Sequence, residues 1–102
     1  MSYFIMLSKL TAEGRKTIMR NPDRIWEVNE EVEGMGAKII TQYALLGGFD
    51  FITILDAPNN EVIARVTSNL GSRGTLEPTT FAALTVESLV KELNTAKAMR
   101  KE

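Results

Sequence analysis

The residues best suited to chemistry in this chain are one aspartate and three polar side chains that a sheet could bring near it. Asp50 precedes an apolar strand pattern and, by strand alternation, points to the same face as Ile52. A carboxylate sheltered from water in this way can serve as a general base. If their strands are neighbours, Tyr43, Lys9 and Arg73 complete a proton-handling set around it. The set would suit a cofactor-independent enzyme, oxygenase- or isomerase-like, that acts on a small acidic or aromatic molecule.

The same residues also have a structural interpretation, which the sequence favours. An aspartate directly after the Gly47–Gly48 turn accepts hydrogen bonds from backbone N–H groups or from an arginine, and so holds a hairpin. Tyr43 is then a sheet residue with its hydroxyl in water, and Lys9 protects the end of a strand from edge pairing. No known motif joins the four candidate positions, so their spacing alone does not indicate catalysis.

Composition excludes several classes of protein chemistry. The 102 residues contain no cysteine and no histidine, which rules out thiolate nucleophiles, disulfides, Ser/His/Asp triads, Cys/His zinc sites, iron–sulfur clusters and His-ligated haem. Asp50 and Asp56 share a strand face but lie about 20 Å apart at ~3.3 Å per residue, too far for one metal ion. We therefore expect neither a metal nor a cofactor.

Charge and hydrophobic patterning also limit which partners and which cellular compartment we expect. Twelve Lys and Arg stand against thirteen Asp and Glu, so no electropositive field favours nucleic acid or an anionic membrane. The apolar stretch from Tyr3 to Leu10 is too short to cross a bilayer and lacks the basic flank of a signal peptide. We expect a mature protein that begins near Met1 and stays in the cytoplasm. The absence of cysteine fits that reducing compartment.

The order of elements predicts the fold class. Gly47–Gly48 separates two strand patterns, which indicates a two-residue hairpin. Pro78 marks the last strand as an edge or bulged strand. The predicted elements are a strand over 3–10, a helical segment from Thr11 with a break at Asn21–Pro22, a helix ending at Gly34–Gly36, strands over 37–46 and 49–57, a helix from 58–60 to Gly71, a strand over 74–84, and a helix from Thr85 to a charged end at 99–102. This α+β order predicts a single domain, 1–102, with a ferredoxin-like βαββαβ plait, a four-stranded antiparallel sheet and an additional C-terminal helix.

Both faces of the predicted sheet are apolar. The first strand places Tyr3 and Ile5 on one face and Phe4 and Met6 on the other. Because helices cover only one face, the second needs another cover, and a second copy of the chain is the simplest one. A flat ligand, a partner protein or stacked bases are the other possible covers. Trp26 lies away from the apolar stripe of its helix, so we expect it to be exposed and to be a candidate for a second interface.

Two segments carry a family resemblance. The stretch LLGGFDFITILDAPNNEVIARV, residues 45–66, and LGSRGT, residues 70–75, resemble the GYD domain family. The resemblance implies the dimeric α/β barrel type of ferredoxin-like fold, in which two protomers press their sheets together, and implies no established reaction. Gly48, Phe49 and Asp50 occupy the positions that name the family. Phenylalanine replaces the family's tyrosine, so a role that needs a phenolic hydroxyl does not transfer.

The hairpin segment also overlaps the third-strand pattern of RNA-recognition motifs, which share this element order. The overlap fails where the pattern needs a basic residue, a small residue and a last aromatic residue, because Gly47, Asp50 and Ile54 stand there. An acid at the centre of a stacking surface would repel phosphates. RNA binding is therefore the third and weakest hypothesis.

The glycine-containing loop over residues 71–75 resembles a phosphate cradle only superficially. It follows a helix, whose C-terminal end is negative, whereas phosphate loops precede a helix. Anion binding there would depend on Arg73 alone. A helix stop followed by a turn into an edge strand explains the glycines.

The leading functional hypothesis is a small cytosolic homo-oligomer, paired through its sheets, that binds a small molecule or serves a regulatory or accessory role without catalysis. The alternative is the cofactor-independent enzyme with Asp50 as base and Tyr43, Arg73 or Lys9 beside it, acting in a pocket between sheet and helices.

Overall fold

The computed structural model describes residues 2–100 and has the predicted element order. The four strands are β1 (Ser2–Leu10), β2 (Lys38–Ala44), β3 (Phe51–Ala57) and β4 (Leu76–Ala83). The four helices are α1 (Ala12–Arg20), α2 (Arg24–Gly34), α3 (Asn60–Gly71) and α4 (Val86–Met99). The strands form one antiparallel sheet in the order β2-β3-β1-β4, which is the strand order of a ferredoxin-like plait. The predicted α+β class is confirmed. Lys101 and Glu102, in the predicted charged end, lie outside the described residues.

Helix ends follow the polar residues that the sequence places there. The Thr11 side chain accepts a hydrogen bond from Gly14 N, and the Thr85 side chain accepts one from Ser88 N. These bonds satisfy backbone donors that a helix start leaves unpaired. The predicted break at Asn21–Pro22 is present, since α1 ends at Arg20 and α2 begins at Arg24.

The predicted two-residue hairpin between β2 and β3 is wrong. Ala44 pairs with Phe51, so the strands stop short of the predicted bounds of 46 and 49, and Leu45–Asp50 forms the connection. The Leu45 N–H donates to the carbonyl of Asp50 at 2.8 Å. The Asp50 N–H donates at 2.8 Å to the carbonyl of Ser8 in β1. Residue 50 is thus bonded to β1 but lies outside the regular ladder of β3, which begins at Phe51.

The hydrophobic core lies on the helix side of the sheet. Alternate residues of β1, including Phe4 and Met6, are buried there. Three residues of α3 are buried, whereas α1 and α2 bury only Gly14 and Val32. The core is therefore dense under α3 and looser under α1 and α2. The buried apolar residues are Phe4, Met6, Val32, Ala37, Leu55, Ala57, Ile63, Val66 and Leu70.

The opposite side of the sheet, which we call the outer face, is largely apolar. Its strand pairs include Ile5 with Ile54 and Leu7 with Ile52. Large side chains remain open to solvent, with Tyr43 61% and Phe81 50% exposed. The apolar residues of the outer face include Tyr3, Ile5, Leu7, Tyr43, Ile52, Ile54 and Phe81; Lys9 lies opposite Glu77 in register at one end, and Lys38 lies opposite Asp56 at the other. The prediction that both sheet faces are apolar is confirmed.

Helix α4 has no buried residue. Its apolar side chains recur at helical spacing and stay open to solvent; they are Val86, Leu89, Val90 and Leu93, exposed by 75%, 44%, 50% and 59%. The molecule is elongated, with principal extents of 63 × 29 × 20 Å. An isolated helix of 14 residues is marginal in water, so α4 needs packing that one protomer does not give it. Within residues 2–100, each helix falls short of the length and hydropathy needed to span a bilayer.

Candidate functional site

A cavity of about 340 Å³ lies between the sheet and the helices α1 and α2. It occupies the part of the helix side where burial is weakest, because α1 and α2 meet the sheet through few side chains. Most of its lining is apolar, as in ligand pockets generally. The apolar lining includes Met6, Leu10, Ile18, Ile25, Val28 and Ile39.

Polar side chains meet on the floor of this cavity. Gln42 and Asn29 exchange hydrogen bonds of 2.8 and 3.3 Å, and Gln42 Nε2 also donates to Thr53 Oγ1 at 2.9 Å. Thr53 and Ser8 are only 6% and 3% exposed. The Ser8 side chain also lines the cavity. The Thr53 hydroxyl accepts one bond and keeps its own proton free to donate.

Two arginines line the mouth of the cavity. Arg24 Nη1 lies 3.2 Å from a carboxylate oxygen of Glu27 and 3.2 Å from one of Glu31. Arg73 Nη2 lies 3.0 Å from Glu31 and also donates to Asn69 Oδ1 at 2.7 Å. Such exposed pairs add little stability, but they fix where both guanidinium groups stand. Among the lining residues, the charged ones are Arg24 and Arg73, and neither glutamate is included.

Asp50, the candidate base, does not line the cavity. Its Oδ2 accepts a 2.7 Å hydrogen bond from the N–H of Leu10 and lies 3.9 Å from Arg15 Nη2. The side chain is 30% exposed. Asp50 thus ties the β2–β3 connection to the end of β1, as its structural interpretation requires. Its role as a catalytic base stays a prediction.

Replacing Asp50 tests this tie directly. We expect Asp50→Ala to lower the free energy of unfolding by about 1–2 kcal/mol, because the Leu10 N–H loses its acceptor in a partly buried position. Asp23→Ala is the matched control, since the Asp23 side chain makes no capping hydrogen bond. Urea denaturation of the two variants checks the difference. Equal stability would show that the Asp50 carboxylate does not hold the connection.

The other candidate residues lie apart from one another. Tyr43 is on the outer face opposite Ile52, and Lys9 is on the outer face opposite Glu77. The Lys9 ammonium lies 5.5 Å from the ring centroid of Phe49, a cation–π contact for which any aromatic ring suffices. Arg73 lies on the helix side. Within one protomer the structure does not bring Asp50, Tyr43, Lys9 and Arg73 into one cluster. A catalytic role for these residues is not tested by their positions in a single protomer and stays a prediction.

The loop after α3 docks onto the start of α1. Thr11 N donates to the Thr75 carbonyl at 3.1 Å, and Thr11 Oγ1 donates to the Gly74 carbonyl at 2.8 Å. α3 ends at Gly71, as predicted, and Gly74 has the positive φ of 78° that favours glycine. With the Arg73 guanidinium already bonded to Asn69 and Glu31, the loop has the geometry of a helix stop.

Sequence reasoning missed the polar residues of the cavity. Ser8 and Thr53 each interrupt the apolar alternation of a strand on its buried face. That interruption was a usable signal, because a hydroxyl at a core-facing position needs a partner or a function. No local pattern, by contrast, shows that Asn29 reaches Gln42. Trp26 is 64% exposed, which confirms its predicted exposure, and its part in a second interface stays a prediction.

Comparison with known proteins agrees with the geometry of the fold. The family model described as GYD domain matches residues 4–93. A protein of Thermus thermophilus, the glutamine synthetase and cystathionine beta-lyase binding protein, is 40% identical over 94 residues, which cover 91% of this chain and 99% of that protein.

Solved structures give the corresponding result for shape. The crystal structure of FFRP-DM1 matches with a TM-score of 0.54 at 15% identity, covering 82% of this chain and 100% of its own. A dimeric ferredoxin-like protein from an uncultured marine organism matches with a TM-score of 0.42 at 8% identity, covering 84% of this chain and 95% of its own. The family match spans nearly all of the sheet and its helices, and the relative is matched along almost its whole length. The chain belongs to the GYD domain family.

Proposed function

We propose that this protein is a cytoplasmic homo-oligomeric accessory protein, which pairs through its outer face and α4 and binds another protein without catalysing a reaction. The observation that carries the proposal is the apolar surface left open on one protomer. Tyr3, Tyr43 and Phe81 are 42%, 61% and 50% exposed on one side of the sheet. Contiguous apolar surface of this kind marks interaction sites in soluble proteins.

A second copy is the cover that suits the outer face best. A two-fold axis brings the same patch of both protomers together, so each aromatic side chain is buried twice per dimer. At roughly 25 cal/mol per Å², burial of several large side chains contributes several kcal/mol to association. The charged residues at the two ends of the patch, with Lys9 opposite Glu77 and Lys38 opposite Asp56 in strand register, would form a polar rim.

Helix α4 completes the same contact in the proposed dimer. It follows β4, which is the edge strand next to β1, and it buries nothing in its own protomer. Its stripe of Val86, Leu89, Val90 and Leu93 is apolar along one side. Packed on the neighbouring copy, the stripe would receive the tertiary support that a short helix needs.

The accessory role rests on the Thermus relative and on a second exposed surface. That relative is named as a binding protein for glutamine synthetase and cystathionine beta-lyase. In this chain Trp26 and Met19 are 64% and 83% exposed on α2 and α1. These helices cover the opposite side of the sheet, so both side chains stay available when outer faces pair. Tryptophan is enriched among residues that dominate binding energy, which makes Trp26 the proposed anchor for a partner enzyme.

Sedimentation equilibrium tests the proposal in two steps. We expect the purified chain to have a mass that is a multiple of the 11.3 kDa protomer. Added glutamine synthetase or cystathionine beta-lyase from the same organism should then co-sediment with it. Trp26→Ala should weaken the complex by at least about tenfold without changing the mass of the chain alone. Lys16→Ala, on the neighbouring helix α1, is the control. It should leave the affinity for the enzyme and the mass of the chain alone unchanged.

A monomeric chain at high concentration would contradict the self-association. A stable oligomer that binds neither enzyme would contradict the accessory role as stated. If Trp26→Ala binds the enzyme as tightly as the unmodified chain, the partner surface does not include Trp26 on α2.

A further inference from the structure

The cavity under α1 and α2 has the chemistry of a binding site for a particular class of small molecule. We infer that it binds a small hydrophobic carboxylate, with the acid group at Arg24 and the apolar body against the sheet. This inference is independent of self-association, since all the lining residues come from one protomer.

The size of the cavity limits the ligand. A volume of about 340 Å³ equals that of about eleven liquid water molecules at roughly 30 Å³ each. It is near the lower end for pockets that bind small molecules. An acid with one ring or a branched chain, of roughly ten to twelve non-hydrogen atoms, fits this space.

The apolar lining favours an organic ligand over water as the occupant of the cavity. Water would face mostly apolar side chains such as Ile25 and Val28, which offer it no hydrogen bonds. The exception is the floor, where the polar side chains of Asn29, Gln42 and Thr53 are hydrogen-bonded to one another. These groups already have partners, so the apolar body of a ligand can lie against the floor without leaving them unsatisfied.

The charge of the lining sets the sign of the ligand. Arg24 and Arg73 are the charged residues among the lining, whereas Glu27 and Glu31, which pair with them, are not among it. Arg24 uses only Nη1 for both glutamates, so its Nε and Nη2 donors remain for a ligand. A guanidinium fork presents parallel N–H donors that match the two oxygens of a carboxylate. An amine has no carboxylate partner among the lining residues.

Three probes with the same carbon skeleton test the inference on the full chain. They are 3-phenylpropionate, 3-phenylpropanol and 3-phenylpropylamine, followed by amide chemical shifts in ¹H–¹⁵N spectra. We expect the acid to bind with a Kd below about 1 mM and to bind at least about tenfold more tightly than the alcohol. The amine should bind more weakly still. Shifts should concentrate on β1, β3 and α2 residues of the lining.

Variants separate the charge from the apolar body. Arg24→Gln should reduce the preference for acid over alcohol by about tenfold, while Arg20→Gln, which alters an exposed arginine outside the cavity, should keep it. Val28→Phe should fill the cavity and abolish binding of both probes. If Val28→Phe does not fold, the ratio of acid affinity to alcohol affinity in Arg24→Gln still tests the inference.

Three results would overturn the inference. The first is an acid that binds no better than the alcohol. The second is an unchanged preference in Arg24→Gln. The third is a set of shifts confined to the outer face, which would place the apolar probe at the surface between copies instead of in the cavity.

Discussion

Phe81→Glu is expected to convert the proposed oligomer to a monomer, raising its dissociation constant by at least about a hundredfold. Phe81 is 50% exposed in the protomer and pairs with Ile5 on the outer face. The substitution therefore leaves the protomer core intact but places a carboxylate in the proposed contact of each copy. An unpaired charge buried at an interface costs several kcal/mol, and two-fold symmetry applies this cost twice. Sedimentation equilibrium measures the change.

Met19→Glu is the matched control for this substitution. Met19 is 83% exposed on α1, on the helix side of the sheet, so the same change of side chain occurs away from the outer face. We expect the control to keep the mass of the unmodified chain. If Phe81→Glu also keeps that mass, the outer face is not the surface through which copies pair, and its cover must be a different molecule.

The faces of the sheet could be predicted because they depend on local alternation. In β1, Phe4 and Met6 alternate with Ile5 and Leu7, and this period of two assigns each residue to a face. Helix starts at Thr11 and Thr85 could be predicted for the same local reason, since a capping side chain bonds within its own turn. Family resemblance added the ferredoxin-like fold; the family model confirmed the family, and the strand order confirmed the fold.

Features that depend on contacts distant in sequence could not be predicted. The β2–β3 connection is longer than Gly47–Gly48 suggests because Asp50 bonds to Ser8 and Leu10, about forty residues earlier. The cavity depends on how closely α1 approaches the loop before β4. That distance is set by Thr11 and Thr75, which no local pattern relates. Candidate residues chosen by type alone, such as Tyr43 and Arg73, therefore fell on opposite sides of the sheet.

The approach of α1 to this loop gives the largest expected effect on stability. We expect Gly14→Ala to lower the free energy of unfolding by about 2–4 kcal/mol, measured by urea denaturation. A Cβ at Gly14 would overlap the carbonyl oxygen of Thr75, far inside van der Waals contact. That carbonyl is backbone and also accepts from Thr11 N, so it has no free rotation with which to move aside.

Gly34→Ala distinguishes this overlap from the general effect of alanine in a helix. A Cβ at Gly34, the last residue of α2, meets nothing within 4 Å. We expect that variant to match the unmodified chain or to gain about 0.5 kcal/mol, because alanine restricts the unfolded chain more than glycine does. Gly14 and Thr75 both line the cavity, so the displaced α1 should also weaken binding of 3-phenylpropionate. Equal stability of the two variants would mean that α1 and the loop do not meet at Gly14, and that the cavity is not closed at this end.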